Sequence, residues 1–456
     1  MPVSRFWAEL AWLADATPAT GPAAPGGPVS NVLLEIRDGR FADVTPGVAQ
    51  PPPDATRLAG LTLPGLANAH SHAFHRALRG RTGAGHGTFW TWREQMYALA
   101  TRLDPDSYHA LARAAYAEMS LAGIACVGEF HYLHHAPDGR PYADPDAMGM
   151  ALLAAAAEAG IRITLLDTCY LTSTVDGAPP RGVQRRFADA DAAAWAARVA
   201  DAEPAGDHAR RAAAIHSVRA VPAEQLPEVV EWAAAARAPL HVHLSEQRAE
   251  NDACRIHYGR TPTAVLSDAG VFGPRTTAVH ATHLTDSDRN RLGDSGTSVC
   301  FCPTTERDLA DGVGRARALV DAGSPLCLGT DSHAVIDLFE EARAVELHER
   351  LLTERRGHFC TAELLHAATA AGHRALGWPD AGTLAVGARA DLVTVRLDSV
   401  RTAGTEPAAA AVFAATAADV THVVVDGRLI VRDAIHTAIP DVPGALADAI
   451  GRITGG

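Results

Sequence analysis

Short apolar runs rich in β-formers recur along the chain, separated by longer Ala- and Leu-rich stretches with helical spacing. Eight runs stand out: residues 62–70 (TLPGLANAH), 123–132 (GIACVGEFHY), 162–171 (RITLLDTCYL), 213–220 (AAIHSVRA), 238–246 (APLHVHLSE), 276–284 (TTAVHATHL), 297–304 (TSVCFCPT) and 325–332 (PLCLGTDS). Residues 104–123 (DPDSYHALARAAYAEMSLAG) predict a helix capped by Asp104 or Asp106, and residues 222–238 predict another. Eight strand–helix units predict an α/β fold, a parallel (β/α)8 TIM barrel spanning 63–379. Outside it, residues 31–62 and 382–431 read as hairpins. The segments 1–62 and 380–456 are therefore expected to join in one small β-sandwich domain built from both ends of the chain.

Polar residues gather at the C-terminal end of the runs: His70 and His72, Glu129 and His131, His216 and Arg219, His243 and Glu246, His280 and His283, Asp331 and His333. Barrel active sites are built at that end, and scattered core histidines would show no such bias. Residues i and i+2 of a strand project to the same side, so His70 and His72 converge at the barrel mouth. A lone His-x-His is weak, because solvated or core histidines are as common. His243 on the fifth run and Asp331 on the eighth complete a set of three imidazoles and one carboxylate, suited to Zn²⁺ first and Fe²⁺ second. Glu246, three residues past His243, reaches a substrate without being a ligand. His280 is placed to orient a water.

Composition narrows the chemistry. The 456 residues contain no lysine, which excludes a Schiff base and a carbamate bridging two metals, so one divalent ion is expected. Apolar residues make up 47% and charged residues 20%, enough for a large core, and no apolar run nears the roughly 18 residues a membrane span needs. A net charge of −13 without basic runs disfavours nucleic acid. Seven scattered cysteines suit a reducing compartment, and Cys300 and Cys302 read as small buried hydrophobes. With no signal-like N-terminal segment, a cytoplasmic protein without a membrane partner is expected.

The stretches PGLANAHSH (64–72), HVHLSE (241–246), VHATH (279–283) and GTDSH (329–333) resemble the amidohydrolase superfamily, deaminase branch. The pattern Gly382, Leu384, Gly387, Ala390–Val393 resembles that superfamily's terminal β-domain. HSHAFHRA (70–77), FWTWRE (89–94), EFHYLHH (129–135), QRRF (184–187), IHSVRA (215–220) and HVHLSEQ (241–247) are similar to the N-formimino-L-glutamate deiminase family of histidine degradation. The resemblance implies hydrolysis of a small dicarboxylate substrate to N-formyl-L-glutamate and ammonia by a homodimer. It implies metal ligands His70, His72, His243 and Asp331 and catalytic groups Glu246, His280 and Asp331. It also implies substrate contacts from Arg93, Tyr132, His216 and Arg219. Arginine suits that task, because its planar fork binds carboxylate in bidentate fashion.

This chain departs from the family at two positions. His75 stands where the family has a substrate-binding glutamine. In TERDLADG (305–312), Asp308 replaces an asparagine and is expected to face an arginine such as Arg307 or cap the following turn. His131, His134 and His135 are expected to shape the loop after the second strand rather than hold a second metal. His283 and His333 read as supporting or loop residues, and His422 and His436 as surface or packing residues. Two rivals stand beside this reading: a deaminase of guanine, cytosine or S-adenosylhomocysteine, and a non-catalytic barrel. The complete ligand set argues against the second.

Overall fold

The computed structural model describes residues 3–13, 26–83, 87–200, 202 and 206–455. Of the N-terminal stretch inspected for a signal, residues 1–2 and 14–25 lie outside the described residues. Each of the eight runs contributes a barrel strand, in chain order: Leu66–Ser71, Ile124–His131, Arg162–Cys169, Ala209–Ile215, Leu240–Leu244, Thr276–His280, Ser298–Phe301 and Leu326–Leu328. Consecutive strands pair in parallel. The ring closes where Ser71 bridges Asp331 in parallel. At that seam Asp331 N–H donates to His70 O at 3.0 Å, and His72 N–H donates to Asp331 O at 3.1 Å. The backbone of the seam thus carries three of the four expected ligands. Gly329 belongs to it as well, since a Cβ there would lie 2.7 Å from the Cβ of His70.

Two boundaries differ from the sequence pattern. The first run divides at Gly65: Thr56–Pro64 belongs to the other sheet and Leu66–Ser71 to the barrel. Any Cβ at Gly65 would press within 2.7 Å of Ala125 and 2.8 Å of Asp391. The fourth strand starts four residues before its apolar run, at Ala209. Its charged start is accommodated outside the barrel, where Arg210 lies 4.1 Å over the Trp378 ring and Arg211 pairs with Asp146.

The second sheet also has eight strands and draws on both chain ends, as expected. Strand Thr56–Pro64 joins the two ends, pairing in parallel with Ser4–Leu13 and antiparallel with Leu392–Val395. The hydrophobic pattern did not single out Ser4–Leu13. Phe6, Leu34, Phe41, Leu58 and Leu392 form the core of this region. Arg162 fastens it to the barrel, donating to Asp391 at 2.9 Å and pairing with Asp426 at 3.0 Å in a fully buried position. Pro105–Leu121 is helical and is capped by Asp104, whose Oδ1 accepts from Ser107 N–H at 2.8 Å, rather than by Asp106. Among the described residues no helix is long and apolar enough to cross a membrane.

Candidate active site

The first strand delivers His70 and His72 edge-on to one another, ring centroids 4.8 Å apart. The Nε2 atoms of both stand 3.4 Å from Asp331 Oδ1, and His243 Nε2 stands 3.1 Å from His70 Nε2. His72 Nδ1–H donates to Phe130 O at 2.9 Å, and His243 Nδ1–H donates to His216 O at 2.9 Å. Each bond fixes the tautomer that leaves a lone pair on Nε2, the arrangement a backbone carbonyl behind the ring gives to metal-ligating histidines. Burial and the neighbouring His70 lower His72 to about 3, so the ring is neutral at ordinary pH. Burial likewise holds His243 well below the usual range. Burial opposes ionisation of Asp331, but its hydrogen bond to His70 and the imidazoles of His70, His280 and His72 outweigh it and keep the carboxyl ionised. Facing lone pairs beside a buried carboxylate are what a divalent cation requires, and the donor set fits one.

Around this cluster sit the groups that can move protons. His280 Nε2 is 3.9 Å from Glu246 Oε1 and 3.8 Å from Asp331 Oδ2. Its Nδ1 is 3.4 Å from Glu306 Oε1, which also accepts Cys302 N–H at 2.9 Å. Burial opposes charge on His280, yet Glu246, Glu306 and Asp331 push it up to about 10. Burial raises Glu246 against the pull of His280 and Arg219. The imidazole of His280 therefore favours its protonated form, and Glu246 holds a proton more readily than a free carboxylate. Ser245, His280, Ala281 and Asp331 all have φ between 43° and 67°. Non-glycine residues so held at successive strand ends mark a mouth shaped for function at the expense of local strain.

A cleft of about 650 Å³ opens above the cluster. His72, His243, Glu246, His280 and Asp331 line it, as do all five expected substrate contacts: His75, Arg93, Tyr132, His216 and Arg219. His70 lies behind them, fully buried. Arg93 is carried on a helix, Phe89–Ala100, at whose start Thr88 N–H donates to Thr91 Oγ1 at 2.9 Å. Its guanidinium lies over the rings of Trp90 at 4.5 Å and Tyr97 at 5.4 Å. His75 Nε2 is 3.0 Å from Tyr132 Oη. Burial keeps His75 and His216 well below their ordinary range, so both line the cleft as neutral rings.

Some residues near the site went unread in the sequence. Glu250 accepts from Arg219 Nε at 2.6 Å, and Glu306 backs His280. The one available signal for Glu250 was its spacing of four from the buried Cys254 on helix Arg248–Tyr258. Aromatic rings of Trp92, Tyr170 and Phe187 also wall the cleft. Cys302 is buried as expected, yet its sulfur lies within 4.8 Å of ligand atoms of His280 and Asp331.

Arg307 pairs with Glu340 at 2.6 Å, and Asp308 instead lines a separate cleft beside Arg79 and Trp92. Its charge is thereby kept out of the catalytic pocket. His333 bonds Ser71 Oγ at 3.1 Å and Thr330 Oγ1 at 3.0 Å, a supporting role. His283 Nε2–H donates to Asp311 O at 2.7 Å, and His436 Nε2–H to Ala159 O at 3.0 Å.

Fold and site together define a barrel hydrolase with a cation-binding cluster at the C-terminal mouth. The chain belongs to the amidohydrolase family, whose sequence profile matches residues 61–430. It is 36% identical to formimidoylglutamate deiminase of Pseudomonas aeruginosa, over 94% of this chain and 97% of that one. It is 31% identical to 8-oxoguanine deaminase of the same organism, over 90% of each chain. The crystal structure of an amidohydrolase from Brucella melitensis superposes with a TM-score of 0.88 at 31% identity, covering 99% of this chain and 100% of that one. An adenosine deaminase from Xanthomonas campestris with bound zinc shares the fold at 24% identity and a TM-score of 0.82, covering 99% and 98%.

Proposed function

We propose that this protein hydrolyses N-formimino-L-glutamate to N-formyl-L-glutamate and ammonia, using one divalent metal, Zn²⁺ first among candidates. The observation carrying this reading is the pair of arginines, Arg93 and Arg219, in the cleft that holds the His/Asp cluster. A site for a planar base has no use for two guanidinium groups, whereas a substrate with two carboxylates does. The 36% identity to a formimidoylglutamate deiminase over nearly the whole chain supports it.

His70, His72, His243 and Asp331 would hold the ion, which supplies Lewis acidity that brings the pKa of water toward neutrality. Asp331 accepts the proton that the attacking water loses. His280, protonated and held by Glu306, donates a hydrogen bond to the oxygen as charge develops on it. Glu246 delivers a proton to the departing nitrogen, which leaves as ammonia. Arg93, Arg219, Tyr132, His216 and His75 fix the carboxylates and keep the formimino carbon at the cluster.

The aromatic wall of Trp92, Tyr132 and Tyr170 and the 31% identity to an 8-oxoguanine deaminase favour one second reading, a nucleobase deaminase. Ammonia release by zinc-loaded protein separates the two. Release from N-formimino-L-glutamate alone is expected, with 8-oxoguanine, guanine and S-adenosylhomocysteine as controls. Turnover of a control in its place would replace the substrate while leaving the metal cluster intact. Replacing Arg93→Met should lower kcat/KM by about 100-fold for the dicarboxylate, equivalent to about 2.7 kcal/mol of lost transition-state binding.

A further inference from the structure

Arg219 stands between two carboxylates. Its Nε–H donates to Glu250 Oε2 at 2.6 Å, while its Nη2 is 3.6 Å from Glu246 Oε2, short of a hydrogen bond. Glu250 is 2% exposed, and its other oxygen accepts Ser245 N–H at 3.0 Å. Ser245 immediately precedes Glu246 and has a φ of 50°. One buried side chain therefore ties the arginine to the turn that presents the proton donor. A guanidinium offers a rigid fork of donors, and a partner on Nε fixes the plane of the rest. Here that plane turns the Nη end toward the cleft.

Both carboxylates compete for the same cation. Were Glu250 uncharged, the attraction of Arg219 for Glu246 would go unbalanced, and the 3.6 Å gap would close. The arginine would then be lost to a substrate carboxylate, and Glu246 to proton transfer. We propose that Glu250 is a positioning residue that holds Arg219 off Glu246, so that one serves recognition and the other the reaction. The proposal rests on the reading of Arg219 as a carboxylate-binding group.

The test uses zinc-loaded full-length protein and Glu250→Gln, which preserves shape and an acceptor for Ser245 N–H. Its crystal structure should show Arg219 Nη in direct hydrogen bond with Glu246. Calorimetric affinity for glutarate should fall by about tenfold or more. The double variant Glu246→Gln/Glu250→Gln should recover that affinity to within about threefold of wild type, because the rival is gone. A residue that merely stabilises the fold would leave the double variant as weak as the single one. An Arg219 that stays in place with unchanged glutarate affinity, or a double variant that does not recover, overturns the proposal. If wild type neither binds glutarate nor turns over N-formimino-L-glutamate, the substrate reading fails, and the Arg219–Glu246 distance still decides the role of Glu250. Should Glu250→Gln not fold, Glu250→Asp carries the test: it keeps the charge but shortens the reach. It predicts a loss of about threefold that adding Glu246→Gln reverses.

Discussion

Two buried clusters of histidine and aspartate lie near the C-terminal ends of the barrel strands, and only one can hold a cation. In the first, His70, His72, His243 and Asp331 converge with no arginine against the carboxylate among the described contacts. In the second, His131, His134 and His135 neighbour Asp167 and Asp189. There Arg198 reaches both aspartates, at 3.0 Å and 2.8 Å, so their charge is already neutralised. His134 Nε2–H donates to Thr168 O at 3.0 Å, which holds the ring in place beside them. Burial opposes ionisation of Asp167, but Arg198 outweighs it and lowers the group to about 2. Residue types alone thus do not make a metal site. What matters is whether the donor atoms converge and the carboxylate charge is unmatched. Among the described residues, the groups able to hold a metal all include His70 or Asp331, and none draws on the second cluster.

The largest effect expected from this contrast comes from Asp331→Asn. Metal content by plasma emission spectrometry should drop below about a tenth of wild type, and kcat should fall by at least about 10³-fold. Next is Arg198→Met, which leaves two buried aspartates unpaired and should cost about 3–5 kcal/mol in urea unfolding. Metal content and kcat of the folded fraction should be unchanged. Metal retained in Asp331→Asn, or lost in Arg198→Met, would mean that the clusters have exchanged roles. The smallest effect is one of pH. Asp167 is depressed in the folded protein, so its contribution is fully present above about pH 4 and is lost as pH falls toward 2, about 2 kcal/mol in all. Acid unfolding of wild type should therefore be steeper over that interval than that of Asp167→Asn.

The expectation that His131, His134 and His135 shape structure came from the sequence, but only because four better ligands were already in hand. The residues of the proposed metal cluster were legible for a simple reason. Strand periodicity puts i and i+2 on one side, and a parallel barrel brings every strand's C-terminal end to one mouth. Glu250 was not legible, because a glutamate on a helix reads as solvated until the helix is docked. The helix carrying Arg93 was hidden because its start bears only a short signal, Thr88 before Phe89 and Thr91 inside the first turn. Arg307 was offered as a partner for Asp308 because it is the neighbour in the chain, while Glu340 is the arginine's neighbour in space.

The order of apolar runs and the residues at their ends determined the barrel, its mouth and which side chains gather there, since these depend on local periodicity and a single topology. Three features depend on contacts between side chains from different strands and helices: which imidazole nitrogens are free, which carboxylates an arginine has neutralised, and how Arg219 is shared between Glu246 and Glu250. Such contacts form only once residues distant in the chain are packed together, so tertiary structure alone decided them.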